Sequence, residues 1–144
     1  MSARQRVVVQ THGMHHAEAE WDVASHRSRQ TVVGSEEALR LCEQIEQIGV
    51  EHLLVSFTSQ QGTFFAVGLG AADSCAVFWE SADPPYFQSR GDMSSEGPPV
   101  TYWYGGQPSQ MPASVRIPRS DALDALAEFM STGRRPECVE WDET

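Results

Sequence analysis

Residues 35–79, SEEALRLCEQIEQIGVEHLLVSFTSQQGTFFAVGLGAADSCAVFW, contain a change of hydrophobic period that sets the reading of the whole chain. Ser35 offers a side-chain oxygen to free backbone N–H groups, and Glu36 and Glu37 put negative charge at the positive end of a helix dipole, so a helix is expected to start here. Ala38, Leu41, Cys42, Ile45 and Ile48 form one apolar stripe at three- and four-residue spacing, and Gly49 can close the helix. From Leu53 the period shortens to two. Leu53, Val55 and Phe57 alternate with Leu54, Ser56 and Thr58 before the polar turn at residues 59–62. Two further runs, residues 63–69 and 75–79, follow with residues 70–73 between them. Three short strands joined by tight turns predict an antiparallel meander.

Residues 80–99 are rich in Pro, Ser, Gly and Asp and read as a long surface loop with Tyr86 and Phe87 in its middle. An aromatic strand, residues 100–104, ends at Gly105 and Gly106, and another is expected over 114–117. Ser120 and Asp121 open a second helix whose buried face is Ala122, Leu123, Leu126, Ala127 and Met130, closed by Gly133. Residues 138–141 can pair as a last strand and residues 18–25 can supply an early one, while the residues before Met14 read as a loose arm. The expected fold is α+β in a single domain of residues 1–144: an antiparallel sheet of about five to seven strands with two amphipathic helices packed on one face.

The chain carries 20 acidic and 10 basic side chains, a formal net charge of -10. Phosphate binding draws on clustered Lys and Arg, so nucleic acid is not an expected direct partner. An acidic protein is instead steered toward basic surfaces, although the same charge also serves to keep it dispersed in water. Cys42, Cys75 and Cys138 are odd in number and embedded in apolar sequence, which reads as buried thiols of a reducing compartment. No apolar run has the length of a signal-peptide core or a membrane span, so no membrane partner and a cytoplasmic location are expected.

Motifs for chemistry are sparse. His12, His15 and His16 could share a helical face, but without H-E-x-x-H or a placed third ligand they read as a histidine-bearing arm, and no metal or cofactor is expected. Cys42 lies on an apolar stripe and Cys75 heads an apolar strand, positions that do not activate a thiolate; Cys138 has Arg134 and Arg135 close by in sequence. There is no G-x-S-x-G, no Walker loop and no lysine. Asp121 with Asp124, and Asp142 with Glu143, are explained as helix-start and terminal charges.

What remains is aromatic residues beside acids. Tyr86 and Phe87 lie between Asp83 and Asp92, with Glu96 further along; residues 102–104 read Tyr-Trp-Tyr; Trp141 is flanked by Glu140, Asp142 and Glu143. Aromatic anchors in an acidic rim are the ingredients of a protein-binding surface. Asp83, Tyr86, Phe87, Asp92, Glu96, Trp103, Asp142 and Glu143 are therefore the candidate partner-binding residues. Because strand residues alternate, Tyr102 and Tyr104 cannot face the same way as Trp103, and either side could be the exposed one.

The order of these elements resembles the Imm1 family of bacterial immunity proteins. The likeness runs over residues 36–143, through FFAVGLG, CAVFWES, PPYFQSRG and TYWYGG, and is densest in IPRSDALDALAEFMSTGRRPECVEWDE. It implies a non-catalytic protein that binds and blocks a cognate toxin, often a nucleic-acid deaminase, and it carries over no active-site residues. Two rival roles stay open: an adaptor or secretion chaperone for another effector, and an enzyme using His15, His16 and a carboxylate.

Overall fold

The stripe that opens the sequence argument becomes the buried side of helix α1 (Gly34–Gln47), with Ala38, Leu41, Cys42 and Ile45 packed inward. The computed structural model describes residues 15–23, 26–91 and 97–144; His12 and the arm before Met14 lie outside them. Ser35 is not the cap. Strand β2 (His26–Val33) runs straight into the helix, so the first turn starts at Gly34 and Glu37 Oε1 accepts the Val33 N–H at 2.9 Å. Ile48 lies beyond the last turn and is 63% exposed rather than part of the stripe. Gly49 turns the chain with φ of 87°.

The fold is α+β. Beside β2 lies β1 (His16–Val23), and the expected meander follows as β3 (Leu53–Ser59), β4 (Phe64–Leu69) and β5 (Ser74–Glu80). The later strands are β6 (Phe87–Ser89), β7 (Val100–Tyr104), β8 (Gln107–Met111), β9 (Ile117–Pro118) and β10 (Trp141–Glu143), with helix α2 (Arg119–Thr132) between the last two. The main path of the sheet is β10-β6-β5-β4-β3-β1-β2, antiparallel throughout. β7 joins the start of β3 by one parallel bridge, Leu53 to Trp103, and pairs with β8.

Ten strands among the described residues exceed the expected five to seven because the extra ones are short or polar. β6 lies inside what reads as loop. Gly105 and Gly106, at φ of 62° and 76°, form the two-residue turn of a β7–β8 hairpin rather than a strand end. The strand expected over 114–117 is a 3₁₀ turn (Ala113–Val115) followed by the two-residue β9 against Ser74 and Cys75. The last strand falls later than residues 138–141, at β10.

Both helices cover one face of the sheet. Val55, Phe57, Phe65, Val67 and Val77 point toward them, and Phe65 stacks on Phe129 of α2 at 5.2 Å between centroids. Ala125 and Phe129 join Ala122, Leu126 and Met130 in the core, while Leu123 and Ala127 are only half-buried. α2 closes at Gly133, whose N–H donates to Phe129 O at 2.7 Å with φ of 70°. Arg119 ties the two helices together through paired bonds of 2.6 and 2.9 Å to Glu46. On the other face, Val100 and Tyr102 of the hairpin lie over Leu54, Ala66 and Ala76. The Tyr102 ring occupies the space a side chain at position 68 would need, so Gly68 is required there. Among the described residues no helix is long and apolar enough to cross a membrane.

Candidate partner-binding surface

β6 is only three residues long, yet it joins distant parts of the sequence. On one side Phe87 pairs with Trp79 and Gln88 with Phe78; on the other Phe87 pairs with Glu143, Gln88 with Asp142 and Ser89 with Trp141. Buried Ser89 fixes the strand, since its hydroxyl donates to Val115 O at 2.6 Å and accepts the Val77 N–H at 3.0 Å. The Thr144 N–H donates to Tyr86 O at 2.8 Å and carries the pairing one residue further.

This pairing brings Tyr86, Phe87, Asp142 and Glu143 together at one border of the sheet, and Asp83 stands exposed in the turn leading into it. Asp142 is engaged, sharing Arg90 with Glu140 at 3.3 and 3.2 Å. Asp92 and Glu96 lie outside the described residues. Trp103 is 48% exposed and Tyr102 is buried, which settles the facing of β7. The Trp103 ring belongs elsewhere, to a cleft of about 310 Å³ with Asp22, Val50 and Glu51 near the start of β3. Among the described candidates, Trp103 therefore lies in a cleft that Tyr86, Phe87, Asp142 and Glu143 do not line.

Two clefts flank the β5–β6–β10 border. On the helix face, Trp79, Trp141, Arg134, Arg135 and Pro136 surround about 640 Å³. Arg135 lies over the Phe87 ring at 4.0 Å, and the Trp141 indole donates to Pro136 O at 2.8 Å. The buried Trp79 indole nitrogen has no partner among the described residues. Sequence reasoning passed over this group. Its signal was two adjacent arginines in a chain with twice as many acids as bases, but only folding sets them beside Trp79. On the hairpin face, Phe64, Phe78, Glu80, Tyr86, Tyr104 and Met111 line a second cleft of about 290 Å³.

The thiols are poorly placed for nucleophilic chemistry. Burial pushes Cys42 up to about 12, with Glu46 adding to the effect, and Cys75 up to about 11. Cys138 is exposed, and the charged groups that act on it are Glu128 and Asp124 rather than an arginine; partial desolvation and then Glu128 push it up to about 11. Among the described residues no three His, Cys, Asp or Glu side chains converge as metal ligands, and exposed His16 heads β1.

A sequence model of the family described as immunity protein Imm1 matches residues 31–143, most of the chain. No curated protein matches the sequence.

Proposed function

The chain belongs to the Imm1 family of immunity proteins, and from that premise we propose that it binds a cognate toxin, covers its working surface and converts no substrate of its own. The observation that carries the mode of binding is the junction of β6 with β10. Exposed Asp83 and Glu143 flank the half-buried rings of Tyr86 and Phe87 there, so carboxylates and aromatic anchors share one sheet border. Asp92 and Glu96 remain candidate acidic contacts in this reading, and Trp103 makes a separate contact.

The toxin in this reading is a nucleic-acid deaminase of the same cytoplasm. Such an enzyme needs a basic channel to the zinc-bound water that attacks the flipped base, and a net charge of -10 is complementary to that channel. The same charge supports the absence of a nucleic-acid partner. Raised thiol pKa values on Cys42, Cys75 and Cys138 add support for a non-catalytic role, because each thiol stays protonated near neutral pH.

Co-expression with the toxin of the adjacent reading frame, scored for growth, tests the role; unrelieved killing despite good expression sinks it. Binding kinetics test the mode. Asp83→Lys and Glu143→Lys should slow association by roughly tenfold at low salt with little change in dissociation. Tyr86→Ala should instead speed dissociation by about tenfold or more. Charge reversals without effect on association would remove the electrostatic part.

A further inference from the structure

The cleft on the hairpin face has a composition that selects its guest. Phe64 and Phe78 are half-buried on its floor, and Phe64 meets the Tyr104 ring edge-on, with centroids 6.3 Å apart and planes at 85°. Tyr86 also lines it. Glu80 is the one charged side chain lining it, held beside Phe64 by cross-strand pairing, with no hydrogen-bond or ion-pair partner among the described residues. An apolar guest would bury this carboxylate unpaired, and an anionic guest would be repelled. A planar cation satisfies both parts of the wall, since its face stacks on the rings and its N–H groups reach the carboxylate. A lysine ammonium is a compact, strongly hydrated charge and gains less from the rings. The neighbouring strand β6 already holds a guanidinium on an aromatic ring, where Arg135 covers Phe87 at 4.0 Å on the helix face.

We propose that this cleft receives an arginine side chain of the toxin, with Glu80 pairing its guanidinium and Phe64, Phe78 and Tyr104 enclosing its stem and plane. The assignment rests on the immunity reading for the source of the arginine, while the chemistry of the cleft stands on its own residues.

The test is an NMR titration of the full chain with the blocked tripeptide acetyl-Gly-Arg-Gly-amide and its citrulline counterpart, which keeps the shape and loses the charge. Arginine should shift signals of Phe64, Phe78, Glu80 and Tyr104, and citrulline should bind about tenfold more weakly. Glu80→Gln should bring arginine down to the citrulline level. Equal binding of the two peptides, or shifts lying outside the cleft, overturns the proposal without recourse to any variant. With the toxin itself, Glu80→Arg should weaken the complex by roughly a hundredfold while circular dichroism stays unchanged. If wild type protects cells and Glu80→Arg binds toxin as tightly as wild type, the arginine assignment to the toxin falls alone. If wild type fails to protect while the arginine peptide still selects the cleft, the immunity reading falls and the arginine-binding site stands.

Discussion

The two faces of the sheet are built to different degrees of completeness. The helix face is closed across its centre, where Val55, Phe57, Phe65, Val67 and Val77 are fully covered by α1 and α2, and at its β5–β6–β10 border Trp79 and Trp141 stay half-buried. The hairpin face is closed only where Val100 and Tyr102 lie on Leu54, Ala66 and Ala76, and past that point Phe64, Phe78 and Tyr104 are left half-buried. The lesson concerns where a small fold can place a binding surface. One face supplies enough burial to hold the structure, which frees the other to present aromatic rings that a partner can finish covering.

The sharpest way to break this comparison is to hollow the closed face. Phe129→Ala removes the ring stacked on Phe65 and should cost about 3–5 kcal/mol in urea unfolding, since the packed site cannot collapse around the gap. A loss below about 1 kcal/mol would mean that the helix face is not the stabilising one.

On the open face the expected cost is smaller. Gly68→Ala drives a methyl group into the Tyr102 ring and should destabilise by about 1–3 kcal/mol. Hydrogen exchange should rise first in β7 and β8 and leave α1 protected. Equal acceleration in both places would show the two faces to be one cooperative unit.

A third contrast uses pH. Cys42 and Cys75 sit on the closed face, and burial raises both thiols above their ordinary 9.0, to about 12 and about 11. The unfolded chain therefore releases these protons at lower pH than the folded one. Stability is unaffected below pH 9.0 and declines as pH rises toward 11, by at most about 1.4 kcal/mol per unit for each thiol. Tyr102 on the open face, pushed up from 10.0 to about 12 by burial, enters only later. Unfolding measured from pH 8 upward in the Cys42→Ala, Cys75→Ala double variant should lose most of the early slope and keep only the share of Cys138, which is also raised to about 11. An unchanged profile would assign the alkaline loss elsewhere.

Much of the closed face was legible in the sequence, because residues buried on one side repeat with the period of their element. The stripe of α1 and the alternation of β3 to β5 are of this kind, and so is the glycine stop of α2. The strands that were not legible are polar or very short. β2 reads HRSRQTVV and β8 reads QPSQM, and three-residue β6 lies between nearby β5 and β10, the latter more than fifty residues away in sequence. Of the candidate surface, the union of Tyr86 and Phe87 with Asp142 and Glu143 depends on that β6–β10 pairing, which local pattern does not encode. The same is true of the arginines beside Trp79 and of the separation of Trp103 from the rest.

The rim formed by β2 has a consequence for life in a crowded cell. Along it, Arg29 bonds Glu20 at 2.6 Å and Thr31 bonds Glu18 at 3.0 Å, and Arg27 reaches Asp22 at 3.5 Å. A second molecule approaching to extend the sheet from this rim would have to strip water from a row of ionised groups before gaining a single backbone bond. Sheet-to-sheet growth into fibrils is thereby discouraged at the outer strand.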